Sequence, residues 1–138
     1  MKGRVLVDGA GEGTLLRLSE PLSFWGGVDP LSGRILDIRH PQHGASIAGR
    51  VVALPAARGS SSSSSVLLEL VAQRKAPAAI LLGEADAILA LGAVVAREMG
   101  WTPPPVLELS AAEQARLPEG PVEIRRGGEI AWRSANEF

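Results

Sequence analysis

The sequence contains no cysteine, and this absence excludes several kinds of site at once. A chain without cysteine has no disulfide framework, no thiolate nucleophile and no thiolate ligand for an iron–sulfur cluster. Its formal net charge is −1 at pH 7, and only 4% of its residues are aromatic. A near-neutral chain lacks the basic surface that nucleic-acid-binding domains present. No nucleic-acid partner is therefore expected, and any cluster chemistry would have to come from another chain.

Long apolar segments are missing as well. The apolar part of residues 1–8 is too short for a signal peptide or a membrane span, so we expect no membrane association and a cytoplasmic location. A length of 138 residues with 46% hydrophobic residues suits one domain with its own core. Since no internal repeat or linker is visible, we predict a single domain over residues 1–138.

The most informative feature is a run of six serines, Ser60 to Ser65, which directly follows Ala57-Arg58-Gly59. Such a tract alone could be a flexible linker. Upstream, however, the apolar run of residues 49–55 is bounded by Gly and Pro and is typical of a buried strand. Downstream, residues 66, 67, 70 and 71 are apolar at helical spacing. These flanks favour a strand-turn-helix corner, which we call the serine corner (Ala57–Ser65).

The chemistry of the serine corner favours an anion. Serine is a preferred N-cap because its side-chain oxygen accepts from amides of the first turn, so one of these serines is expected to begin the helix. A helix N-terminus offers N–H groups and the positive end of the dipole. Arg58 adds a cation beside it. The corner is thus predicted to bind a carboxylate or phosphate, and a merely solvated loop is the alternative.

The remaining pattern predicts an α/β fold. Strands are expected at residues 34–38, 78–82 and 106–109, after two initial strands at 4–7 and 14–18, and a hairpin closes the chain at 122–125 and 129–133. Helices are expected at residues 85–99 and 110–116, the second from an S-x-x-E capping box. The G-x-G-x-G sequence from Gly9 to Gly13 precedes no helix, so we interpret it as a turn and not as a dinucleotide fingerprint. Mixed sheets with helices packed against them fit this order.

Two other segments carry chemistry-bearing residues. His40 and His43 could ligate a metal, but Pro41 disfavours a helix that would hold both, so surface or hydrogen-bonded histidines are the preferred interpretation and no metal site is predicted. A long loop contains Ser23-Phe24-Trp25-Gly26-Gly27. This string is interpreted as a subunit interface or an active-site mouth, and the alternative is an aromatic residue tucked under its own domain.

Several of these segments together resemble one known family. The string Pro21-Leu22-Ser23-Phe24-Trp25-Gly26-Gly27-Val28-Asp29-Pro30 is followed by Gly33, His40-Pro41, Gly44, Arg58-Gly59-Ser60 and Ala76-Pro77-Ala78-Ala79-Ile80. These residues resemble the small subunit of the aconitase X group, and the resemblance extends from about Gly9 to Ala96. It implies a swivelling β/β/α domain, like the mobile fourth domain of aconitase, with helices on one side.

The resemblance also implies a function. Members are small subunits of hydro-lyases, inactive without a large subunit that carries an iron–sulfur cluster. Ser60 matches the catalytic serine of the family, and a serine can abstract a proton only as an alkoxide that nearby amides and a cation stabilise. Arg58, Gly59 and Ser61 are then expected to bind the substrate.

Two substrates are implied by the resemblance, cis-3-hydroxy-L-proline and mevalonate 5-phosphate. Ala56 and Ala57 stand where the family pattern often has another basic residue, which leaves fewer cations for a phosphate. This departure favours cis-3-hydroxy-L-proline. A different class of function, an anion-binding module without catalysis, stays open.

Overall fold

The computed structural model describes residues 1–58 and 61–133, and Gly59, Ser60 and residues 134–138 lie outside this part of the chain. The elements of the described part follow in chain order: β1 (Arg4–Val7), β2 (Gly11–Arg17), β3 (Leu22–Ser23), α1 (Phe24–Gly27), β4 (Val51–Leu54), β5 (Ala57–Arg58), α2 (Ser62–Ala72), β6 (Ala79–Leu82), α3 (Ala87–Glu98), β7 (Val106–Glu108), α4 (Ala111–Gln114), β8 (Pro121–Arg125) and β9 (Glu129–Ala131). Among the described residues, no helix has the length and apolarity needed to cross a membrane.

Seven of these strands form one mixed sheet in the order β1-β7-β6-β4-β2-β8-β9. Its centre, from β2 through β4 and β6 to β7, is parallel, and β1 and the β8–β9 hairpin are antiparallel at the two edges. The edges meet, because Gly3 N donates to Gly128 O at 2.9 Å and Ile130 N donates to Met1 O at 2.8 Å. The sheet therefore curls back on itself.

The central strands are buried on both faces, which is why they are continuous apolar runs and not alternating ones. In β4, Val52 and Leu54 face the helical side of the sheet, where they join α2 and α3 in one core. Val51 and Ala53 face the inside of the curl and join the hairpin and α4 region in a second core. The result is a layer of helices on a curled sheet, as the predicted β/β/α fold requires.

The two long helices lie side by side on the sheet and pack closely against each other. Gly92 of α3 makes this possible, because a Cβ at that position would lie 2.5 Å from Ser64 O of α2. Both helices follow parallel strands, so both begin on the side of the sheet where the carboxyl ends of those strands lie.

Two predictions of local structure are wrong. Residues 34–38 form no strand, since only Arg34 and Ile35 make isolated bridges and Asp37 then turns the chain by accepting from Arg39 N at 2.9 Å. Gly11 and Gly13 are not in a turn but in β2. A Cβ at Gly11 would lie 2.0 Å from Ala78 O, and one at Gly13 would lie 2.3 Å from Gly49 O. These glycines therefore serve close backbone approach and not a turn.

Candidate active site

The serine corner lies beside the loop that contains Ser23-Phe24-Trp25-Gly26-Gly27, which we call the aromatic loop. β5, which leads into the corner, pairs in parallel with β3, and Ser23 is the register partner of Arg58. The short kinked segment α1 that follows β3 lies against α2. The aromatic loop and the serine corner, which are far apart in sequence, are thus joined at the end of the sheet where α2 begins. Among the predicted site residues, Gly59 and Ser60 lie outside the described part of the chain, and Arg58 is exposed.

A serine begins the helix, as predicted, but it does not cap it through its side chain. Ser61 precedes α2 with φ −53° and ψ −22°, and its hydroxyl accepts no amide of the first turn. A side-chain cap needs an extended residue, and Ser61 is already helical. Its carbonyl instead accepts from the Ser64 hydroxyl at 2.7 Å. Ser61 itself is exposed at the surface of the corner.

Ser63 is a functional candidate that the sequence analysis missed. It is buried, and its hydroxyl is the one buried side-chain polar atom without a hydrogen-bond partner in the described part of the chain. The signal was present, because Ser63 precedes Val66, Leu67 and Leu70 at helical spacing and so falls on their buried face. A buried hydroxyl without a hydrogen-bond partner lowers the free energy of unfolding by about 1–3 kcal/mol. Its position at the start of α2, beside the serine corner, is the reason to consider Ser63 as a functional residue.

The aromatic loop separates its two rings. Phe24 is fully buried in the helical-side core, whereas Trp25 is 60% exposed. Gly26 has φ +79°, a value that favours glycine and turns the chain after Trp25. The Ser23 hydroxyl donates to Trp25 O at 2.9 Å, and Gly27 O accepts from Leu36 N at 2.8 Å. The alternative of a tucked aromatic residue therefore holds for Phe24 and is wrong for Trp25.

His40 is a hydrogen-bonded histidine, which confirms the preferred interpretation. Its Nδ1 accepts from Gln42 N at 3.0 Å, and its Nε2–H donates to Glu20 O at 3.3 Å. Both ring nitrogens are thus engaged with the backbone, while His43 is exposed.

A buried glutamine holds the strand ends near the site. Gln114 Nε2 donates to Leu54 O and Leu109 O, both at 3.0 Å, and lies 3.4 Å from Leu81 O. Leu54 is the last residue of β4, from which the chain continues into the serine corner. No sequence pattern singles out Gln114, because three strands meet its amide only in the folded state.

The donor set of this chain does not fit an iron–sulfur cluster. The sequence has no cysteine. Within residues 1–58 and 61–133, no group of three or more histidine, aspartate or glutamate side chains is arranged to hold a metal ion. The residues at the corner are instead hydroxyls and an arginine, which suit an anion.

Comparisons with known proteins agree with this geometry. Residues 1–130 match the family model described as the aconitase X swivel domain. The chain is 48% identical to cis-3-hydroxy-L-proline dehydratase of Pseudomonas aeruginosa over 89% of its own length, but it spans only 22% of that protein. It is 41% identical to the phosphomevalonate dehydratase small subunit of Thermococcus onnurineus, over 90% of this chain and 97% of that one.

A solved structure gives the same result for the fold. Aconitase X of Thermococcus kodakaraensis, in its holo form, superimposes with a TM-score of 0.81 at 35% identity, over 95% of this chain and 97% of that one. The predicted swivelling α/β fold is therefore confirmed. On the family model, the relatives and this structural match, the chain belongs to the aconitase X swivel domain family.

Proposed function

We propose that this chain is the small, swivelling component of an aconitase X-type dehydratase that removes water from cis-3-hydroxy-L-proline. The observation on which the proposal rests is the pairing of β3 with β5, which joins the aromatic loop to the serine corner at the start of α2. A site built this way offers hydroxyls, a helix N-terminus and an exposed arginine to one small anion.

Ser60 is the proposed base. It abstracts a proton from the carbon next to the departing hydroxyl, for which it must act as an alkoxide. The charge of Arg58 and the positive end of the α2 dipole favour that anion. Gly59 allows close approach of the backbone, and Ser61 adds a polar group at the exposed surface of the corner.

The substrate is proposed from two observations. The relative that acts on cis-3-hydroxy-L-proline is 48% identical over most of this chain. Ala56 and Ala57 precede Arg58, so no second cation stands immediately upstream of it. A phosphate substrate would be expected to need more positive charge than a carboxylate. Mevalonate 5-phosphate is the alternative substrate, supported by the small-subunit relatives of that name.

The partner and the cofactor belong to the same proposal. The names of several relatives identify them as small subunits, so we propose a large subunit, and this chain is inactive without it. Because the donor set here does not fit an iron–sulfur cluster, such a cluster would be held by that large subunit. The part of the reaction assigned to this chain is proton abstraction and anion binding.

The test is turnover by the reconstituted complex. The chain is combined with its large subunit, and dehydration of cis-3-hydroxy-L-proline and of mevalonate 5-phosphate is measured for the wild type, Ser60→Ala and Ser65→Ala. Ser65 is the matched control, since it is an exposed serine of the same tract. We expect cis-3-hydroxy-L-proline to react, Ser60→Ala to lose at least about 1,000-fold in kcat, and Ser65→Ala to stay close to the wild type.

Other outcomes separate the alternatives. Turnover of mevalonate 5-phosphate alone would replace the substrate and keep the base. If Ser60→Ala retained activity, the assignment of the base would be wrong. If a stable, cluster-loaded complex turned over neither substrate but bound a carboxylate at the corner, the chain would act as an anion-binding module.

A further inference from the structure

Four large apolar side chains of one segment point away from the core. Their exposed fractions are 60% for Trp25, 63% for Leu31, 49% for Leu36 and 80% for Ile38. We call these four residues the apolar platform. Single exposed apolar residues are ordinary, but four of them within 14 positions of one segment indicate a surface that another molecule covers.

The backbone beneath the apolar platform is held in a defined shape. Val28 and Ile35 form an antiparallel β-bridge. Both side chains are buried, whereas the platform residues of the same segment are exposed. At the turn between them, the Asp29 carboxylate accepts from Leu31 N at 3.0 Å and from the Ser32 hydroxyl at 2.9 Å. These bonds lower the pKa of Asp29 below its usual value, so the carboxylate that accepts them is ionised at neutral pH.

One backbone bond and one side-chain bond fix the other part of the platform. Leu36 N donates to Gly27 O at 2.8 Å, and the Ser23 hydroxyl donates to Trp25 O at 2.9 Å. A surface that is ordered before binding loses little conformational entropy when it docks. Since the segment is ordered while its apolar side chains stay in water, its shape is better explained by a partner than by the fold of the isolated domain.

The platform is continuous with the candidate active site. Trp25 follows β3, and β3 pairs with β5 at the entrance to the serine corner. A partner that completes the site must therefore approach the edge of the domain on which Trp25 is exposed. Exposed apolar residues also occur on α3, at Ile88, Leu91 and Val94, but α3 contacts α2 and β1, whereas the β3–β5 pair leads into the serine corner.

The relatives indicate what covers this surface. The chain corresponds to 22% of the length of the Pseudomonas aeruginosa dehydratase and to 97% of the Thermococcus onnurineus small subunit. The same domain thus occurs both joined to a much longer polypeptide and as a separate chain named a small subunit. A domain found in both arrangements is expected to contact the larger part, and obligate interfaces are more hydrophobic than transient ones.

We propose that the apolar platform is the surface on which the large subunit docks, with Trp25 as the anchor nearest the site. This inference rests on the proposed function only in requiring a large subunit, and it holds whichever substrate the complex uses. Aromatic anchors at the centre of an interface dominate its binding energy. The platform thus serves association, and the serine corner beside it serves chemistry.

The experiment measures the dissociation constant for the purified large subunit by analytical ultracentrifugation. The variants are Trp25→Ala, Leu31→Glu and Ile38→Glu, and Leu91→Glu on α3 is the matched control with a 52% exposed apolar residue. We expect each platform variant to weaken the complex on the order of 10- to 100-fold, and the control to change it less than about threefold. Thermal unfolding of each isolated variant verifies that it folds.

The result that overturns the proposal is specific. If all three folded platform variants bound as tightly as the wild type, the platform would not be the docking surface, and weakening by Leu91→Glu would move that surface to α3. A variant that failed to fold would be replaced by Leu36→Ser at the same surface. Because the readout is binding, an inactive complex that still depended on the platform would contradict the proposed reaction and leave this inference intact.

Discussion

The helices α2 and α3 both begin where the parallel strands end and on the same face of the sheet, yet their first turns are built differently. Asp86 precedes α3 in an extended conformation, and its carboxylate accepts from Ile88 N at 2.9 Å and from Leu89 N at 3.0 Å. Ser61 precedes α2 in a helical conformation and accepts no amide through its side chain. The start of α3 is thus capped by the side chain of Asp86, and the Ser61 side chain provides no such cap for α2.

The start of α2 also includes the buried Ser63 hydroxyl without a partner in the described part of the chain. A buried hydroxyl without a hydrogen-bond partner lowers the stability of the turn that contains it. The difference teaches that the start of α3 is fixed by the Asp86 side chain, whereas Ser61 supplies no such cap to α2, where we propose that a ligand binds.

The largest effect is expected when a carboxylate is introduced at the start of α2. Ser61→Asp places a carboxylate at the α2 N-terminus, where it interacts favourably with the dipole but repels an anionic substrate. Two like charges about 6 Å apart, at an effective dielectric constant of about 20, repel by about 3 kcal/mol. We expect KM of the reconstituted enzyme to rise on the order of 10- to 100-fold. Steady-state kinetics measure this, with Ser61→Asn as the uncharged control.

Ser61→Asp is also informative if it has no effect on KM. Unchanged binding of an anionic substrate would mean that the ligand does not approach the start of α2, and the interpretation of the difference between the two helices would be wrong. The same variant should leave the free energy of unfolding unchanged or raise it by about 0.5 kcal/mol, because a negative charge is favourable at a helix N-terminus.

A moderate effect, on stability alone, is expected at the α3 cap. Asp86→Ala removes the acceptor of two amides and should lower the free energy of unfolding by about 1 kcal/mol, while Asp86→Asn retains most of it. Urea denaturation of the isolated chain measures the change. Turnover of the reconstituted complex should stay at the wild-type level, and a large loss of kcat in Asp86→Ala would show that the α3 start also belongs to the site.

The smallest effect is expected at Ser63 and has the opposite sign. Ser63→Ala removes a buried hydroxyl that lacks a partner, so it should raise the free energy of unfolding by up to about 1 kcal/mol. Ser64→Ala is the control, because the Ser64 hydroxyl already donates to Ser61 O and its loss should be neutral or slightly destabilising. Urea denaturation compares the two. Destabilisation by Ser63→Ala would mean that the hydroxyl has a partner in solution.

The elements themselves were largely predictable from local patterns. The apolar runs at β4, β6 and β7 and the capping box at Ser110 depend on neighbouring residues, and Ser110 Oγ does accept from Glu113 N at 3.2 Å. Residues 34–38 were predicted wrongly because apolar side chains in a short segment do not show by themselves whether that segment pairs in the sheet. Leu36 and Ile38 satisfy the strand pattern while standing outside the sheet.

The sequence by itself determined the kinds of residue available for chemistry: no cysteine, a tract of serines after Arg58, and an aromatic loop with paired glycines. Composition decides this because folding cannot supply a type of side chain, such as a cysteine thiolate, that the sequence lacks. Only the tertiary structure decided that the loop lies beside the corner and that Trp25 faces solvent while Phe24 does not. These facts depend on contacts between residues far apart in the chain, which local periodicity does not encode.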